Sequence, residues 1–220
     1  IVGDSRILFD TDLDRFEALT GERPVQLAIH GTSALTLLED AASNPNFRGL
    51  LIVGLADTMF FQPFDGYGEY VRRRGDFTSP SGRVGIEIDH VLQRRLAFLD
   101  SSHRLSVLAH RLDPDFRPGV EGPKHDIWKV SEVGEQRATW MWPKVEHDLV
   151  YRDRTRWAWK GFKEKFPYTP KLIAKGQARA KKAVDSIRAR GGEVVFVRPP
   201  SAPELRINEE AQVPKARGWD

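Results

Sequence analysis

The 220-residue chain has no cysteine, so disulfides, thiol nucleophiles and thiolate metal sites are all excluded. It also lacks any run of ~18 uncharged apolar residues, the length a membrane-spanning helix needs. Its mean hydropathy of −0.47 agrees with that. Charge of one sign is in short supply: 34 Lys and Arg against 31 Asp and Glu leave a net +3, which argues against a molecule built wholly for nucleic acid. Histidine pairs at helical metal-ligand spacing are missing, because the six histidines are scattered at 30, 90, 103, 110, 125 and 147. His103 and His110, seven apart, could share a helix face, for which a solvated surface is the default. Neither a Gly-x-Gly-x-x-Gly nor a P-loop occurs, so no metal, nucleotide or other cofactor is expected.

Apolar residues make up 40% of the chain, enough for a sizeable core. Charge is uneven. Between Lys144 and Arg190 there are 14 Lys or Arg and only 5 Asp or Glu, interleaved with Tyr151, Trp157, Trp159, Phe162, Phe166 and Tyr168. Such a mixture can face an anionic polymer, a sugar or a lipid surface. It can equally arise when aromatic rings pack inward and cations stay solvated. The chain begins at Ile1, not Met, and ends at Gly218-Trp219-Asp220 without a tail signal. It therefore reads as an excerpt of a longer protein.

The N-terminal third alternates strand-like and helix-like segments. Ile1-Val2 reads as the end of a strand, followed by the turn Gly3-Asp4-Ser5-Arg6. Asp12 to Leu19 has helical spacing, with Leu13, Phe16 and Leu19 on one face and Gly21 as the stop. Residues 25–29 predict a strand ending at His30-Gly31. Thr32 or Ser33 then caps a helix over 34–42, striped by Leu35, Leu38 and Ala42. Residues 50–53 are apolar throughout, the pattern of a strand buried on both faces, and Gly54 closes them. This alternation predicts successive crossovers and a parallel sheet, with ligands at the carboxyl ends of its strands. Asp4-Ser5, His30-Gly31 and Gly54 to Asp57 would converge there.

Phe60 to Ser81, rich in Gly, Pro and aromatics, reads as a loop over that edge. Residues 84–112 have helical periodicity, with Ile88, Val91, Leu92, Leu96 and Leu99 as a stripe, and Asp113 to Gly122 is a breaker cluster. No period emerges over 123–168, so about 113–168 reads as an irregular, Trp-rich basic insertion in one domain spanning 1–220. A basic helix over 171–190, stopped by Gly191-Gly192, leads to a buried strand at 194–197 and to Arg198-Pro199-Pro200.

The sharpest local signal is Gly3-Asp4-Ser5-Arg6 after a strand. A serine there can expose its hydroxyl at the sheet edge and offer its own N–H to an oxyanion. A serine between Asp and a helix can also be a plain helix cap. Taken together, Gly3-Asp4-Ser5, Gly31 after the second strand and Gly54-Leu55-Ala56-Asp57 after the third resemble the SGNH hydrolases, also called GDSL esterases and lipases. The resemblance covers residues 1–60 and extends to the helix and strand at 171–200. It implies a flavodoxin-like three-layer α/β/α fold and Ser5 as nucleophile. It also implies an oxyanion hole including the Ser5 and Gly31 amides, supported by Asp4, Gly54, Ala56 and Asp57.

Two departures stand out. The family's third motif carries an oxyanion-donating Asn where this chain has Ala56, and the family's Asp-x-x-His after the last strand has no counterpart here. The internal match Asp100-Ser101-Ser102-His103 falls at the wrong point of the topology, so the base is expected beyond Asp220. His30, beside the second turn, fits a structural hydrogen-bonding role. The expected activity is a serine esterase or O-acyl (acetyl) hydrolase or transferase, acting on a small-molecule or carbohydrate ester. The alternative is a degenerate domain of the same fold that binds polysaccharide, anionic polymer or a lipid surface without turnover. The resemblance and the Cys-free, Trp-rich composition lean toward a bacterial cell envelope.

Overall fold

The computed structural model describes residues 1–61, 79–93, 95–96, 129–160 and 169–214. The chain divides into two compact units, one of Ile1–Val71 with Lys129–Asp220 and the other of Arg72–Trp128.

The first unit is mixed α/β around a small parallel sheet. Strands β1 (Leu50–Gly54) and β4 (Glu193–Val197) pair in parallel, with Leu50 opposite Glu193 and Gly54 opposite Val197. Val2 forms a parallel bridge to Val53 on the other side of β1: its N–H donates to Ile52 O and its O accepts from Gly54 N–H, both at 2.8 Å. Residues 25–29 lie beyond it, with Leu27 N–H on Ile1 O (2.8 Å) and Ile29 N–H on Gly3 O (2.9 Å). The predicted strand at 25–29 is thus bonded alongside residues 1–3 but does not extend the regular ladder.

Helices cover this sheet for reasons readable in their ends. α1 (Ser5–Asp10) is capped by the Asp4 carboxylate, and α2 (Leu13–Thr20) runs from an Asp12 cap to Gly21 at φ 79°. α3 (Ala34–Ser43) starts at the Ser33 hydroxyl, which accepts from Leu35 N–H. α4 (Asp57–Phe60) is a single turn after β1. Val2, Leu51, Val53 and Val194 face a core shared with Leu35 and Leu38 of α3 and with Ala183, Val184 and Ile187. The last three belong to the long helix Pro170–Arg188. Ile1 and partly buried Ile52 join Ile7, Leu8, Leu13 and Ala28 in a second cluster. Two expectations need correction. Leu19 is exposed, so the stripe of α2 stops at Phe16. The strand expected to be buried at 194–197 is covered at Val194 but open at Val195 and Val197.

The stretch expected to be irregular carries regular structure between 129 and 160. β2 (Ser131–Val133) and β3 (Thr139–Met141) form an antiparallel hairpin. Two helices follow, α6 (Pro143–His147) and α7 (Leu149–Lys160); α5 is Pro80–Gln93 in the second unit. Three-residue strands are too short to show a period, and α7 leaves Leu149, Val150 and Trp157 exposed beside its charged residues, which blurs its apolar stripe. The hairpin turn has a structural task. Arg137 donates from Nη1 to Gln26 O (3.1 Å) and from Nη2 to Ala28 O (2.5 Å), satisfying carbonyls that a further strand would otherwise bond. It does so from a left-handed backbone, with Gln136 at φ 52° and Arg137 at φ 63°.

α8 (Pro170–Arg188) starts at the Thr169 cap, with the predicted helix-stop at Gly191, φ 84°. α9 (Pro203–Gln212) follows β4 in a segment where no helix was expected. In the second unit, α5 leaves Ile88, Val91 and Leu92 exposed. Most of the predicted loop at 60–81, residues 97–112 of the predicted helix and the breaker cluster at 113–122 lie outside the described residues. So do His103, His110, the Asp100-Ser101-Ser102-His103 match and Phe162, Phe166 and Tyr168.

Candidate active site

The turn after residues 1–3 is shaped by Ile7. A Cβ on Gly54 would sit 2.5 Å from Ile7 Cβ, and one on Gly3 would collide with Ile7 Cγ2. Both glycines are therefore required for α1 to lie directly on the sheet. Gly3 O accepts from Ile29 N–H and, at 3.5 Å, from the buried Thr32 hydroxyl. The Ser33 hydroxyl reaches Phe60 O at 3.5 Å. The first and second turns are thus bonded together, and the second is bonded to α4.

Asp4 is buried and its Oδ1 accepts from Arg6 N–H at 3.0 Å. Burial raises its pKa above the ordinary value, against the pull of that hydrogen bond and of Arg6. Asp4, not Ser5, is the helix cap. Ser5 is the first helical residue and is half-buried, and among the described residues no side chain hydrogen-bonds its hydroxyl. Gly31 is exposed at φ 72° with open space where a Cβ would stand, so its backbone angle, not crowding, calls for glycine. Ala56 is buried at the start of α4 and offers no side-chain cap.

Asp57 is fully buried. Its Oδ2 accepts from Arg198 Nη2 at 3.0 Å, while Oδ1 has no partner among the described residues. Desolvation pushes its pKa up to about 6; Arg198 and Arg6 oppose the shift and Glu209 adds to it. Arg198 Nη2 also donates to Val213 O at 2.9 Å. Arg6 completes the cluster. Its Nη1 donates to Glu209 Oε1 at 2.7 Å, and its Nη2 donates to Pro199 O at 2.8 Å and to the Ser201 hydroxyl oxygen. Ser201 donates in turn to Glu209 Oε2 at 2.5 Å.

Sequence reasoning did not single out Ser201 or Glu209, nor the roles of Arg6 and Arg198. Arg6 stands beside Ser5, and Arg198 directly follows a strand, which were the available signals. Glu209 gave none, being one of two adjacent glutamates in a polar segment.

The aromatic and basic region divides. Trp142 packs edge-on to Tyr151 (5.3 Å between centroids) and lies under Lys129 and Lys144 at 4.7 and 5.6 Å, so these rings are used within the fold. Trp140 and Trp157 are exposed. Among the described residues no His, Asp or Glu group is arranged to hold a metal ion, and no helix is long and apolar enough to cross a membrane. Comparison with protein-family models, curated proteins and solved structures finds no match to this chain.

Proposed function

We propose that the chain is an SGNH-type serine esterase or O-acyl hydrolase or transferase, acting on a small-molecule or carbohydrate ester. The observation that carries this reading is the division of labour between Asp4 and Ser5. Asp4 takes the capping role that would make Ser5 ordinary, which leaves the Ser5 hydroxyl without a hydrogen bond among the described residues at the start of α1. In this reading Ser5 Oγ attacks the ester carbonyl and its proton passes to a base supplied from outside the described residues. The developing oxyanion is met by the amides of Ser5 and Gly31, and the alcohol leaves as the acyl group stays on Ser5. Water or an acceptor hydroxyl then removes it. The spatial order of residues 25–29, residues 1–3, β1 and β4, with α1 and α2 on one side and α3 and α8 on the other, supports a flavodoxin-like three-layer arrangement.

Ala56 favours a second reading, in which the same fold binds a polysaccharide or anionic surface without turnover. Removing one oxyanion donor costs about 100–1,000-fold in rate. Reaction of the protein, produced from its whole reading frame, with a fluorophosphonate separates the two. A covalent adduct on the peptide carrying Ser5 supports the hydrolase. Absence of any adduct there overturns it in favour of the binding domain.

A further inference from the structure

We propose that Arg6 is a positioning residue that fixes the turn bearing Ser5 to the chain leaving β4. The proposal rests on Ser5 being the nucleophile. Arg6 is the next residue along α1, and its guanidinium spans three acceptors on a segment about 200 residues distant: Pro199 O, the Ser201 hydroxyl and Glu209. Glu209 is almost wholly buried and uses its second oxygen on Ser201, so its carboxylate is held from two sides. A neighbouring pair, Arg198 and Asp57, ties the same segment to the start of α4 through Val213 O and Oδ2. Two cations and two carboxylates therefore balance at the carboxyl edge of β1 and β4.

Stability alone is a poor reason for such a group, because buried ion pairs seldom outperform apolar packing of the same volume. Geometry is a better one. A planar fork with several donors fixes direction as well as distance, which a lysine cannot do. An error of about 1 Å in placing a reacting group can cost about 100-fold in rate. By holding its own helix turn against residues 199–209, Arg6 sets where the Ser5 hydroxyl stands relative to whatever approaches along that segment.

The test is p-nitrophenyl acetate turnover by the protein from its whole reading frame, with kcat and KM separated and thermal melting run beside each variant. Arg6→Gln is expected to lower kcat about 10- to 100-fold with KM within about twofold. Arg6→Lys should recover part of the loss. Glu209→Gln should also lower kcat, and the double variant should lose no more than the worse single one, since both act through one contact. Arg6→Gln with wild-type kcat, a loss confined to KM, or losses that multiply in the double variant would overturn the proposal. If Arg6→Gln fails to fold, Ser201→Ala is read instead: about a threefold fall in kcat supports the clamp and an unchanged kcat refutes it. Ser5→Ala is the control on the underlying reading. Turnover surviving that change removes the nucleophile itself, whereas turnover lost in Ser5→Ala but kept in Arg6→Gln removes only the positioning role.

Discussion

Arg198 Nη2 lies 3.0 Å from Asp57 Oδ2, yet the Asp57 carboxyl still titrates near 6, because full burial outweighs the attraction of that one cation. A folded-state pKa above the unfolded one means the folded chain holds the extra proton between the ordinary carboxylate value of 3.8 and about 6. Stability from this group is therefore gained as pH falls through that window and lost as pH rises through it. Asp4 is shifted in the same direction by burial. Asp57→Asn keeps an acceptor for Arg198 and removes the charge. The variant should gain melting temperature relative to wild type at about pH 7.5 and gain less, or lose, at about pH 4.5. An offset independent of pH would contradict the assignment.

The glycines divide by physical cause, and substitution should sort them. Gly54→Ala forces a methyl onto Ile7 at 2.5 Å and must move α1 off the sheet. A loss of about 2–3 kcal/mol is expected from overpacking. Gly31→Ala meets no neighbour and should cost about 1 kcal/mol for the left-handed backbone alone. Denaturant melts of the two variants compare them directly, and equal losses would refute the distinction.

Among the described residues no strand pairs with the outer edge of residues 25–29, and Arg137 bonds its carbonyls instead. Arg137→Gln leaves the Ala28 and Gln26 carbonyls short of donors, at a cost of about 1–3 kcal/mol for such buried groups. Backbone amides at 27 and 29 should then exchange with deuterium faster, while those of β4 stay protected. Uniform acceleration, or none, would contradict the edge-capping role.

What was legible in the sequence is what local chemistry dictates. Asp12 and Gly21 bracket α2 and Ser33 starts α3, each a cap acting within one turn. The apolar runs at 50–53 and 194–197 are the paired strands. Residues 25–29 run alongside residues 1–3 without forming a regular strand, and their larger apolar side chains are not what the fold covers: Val25 and Leu27 face outward while Gln26 and Ala28 are buried. The hairpin at 131–141 was hidden by the shortness of its strands. The Arg6–Glu209 pair was hidden by a separation of 203 residues, across which no local pattern can act.

Ala56 has an extended backbone, φ −115° and ψ 102°, at the start of α4, a conformation in which Asn is at home as a helix cap. If the neighbouring amides hold an oxyanion, Ala56→Asn adds a donor and should raise ester turnover by up to about 100-fold. Turnover unchanged or lowered, with the fold intact by circular dichroism, would place the oxyanion elsewhere.

The most direct test of the account is p-nitrophenyl acetate turnover by wild-type protein and by Ser5→Ala, both produced from the whole reading frame. Ser5 contributes no capping bond, since Asp4 supplies it, so the substitution should leave the melting temperature nearly unchanged. Turnover is expected to fall to the uncatalysed background while the fold persists. Wild-type turnover in Ser5→Ala would contradict it.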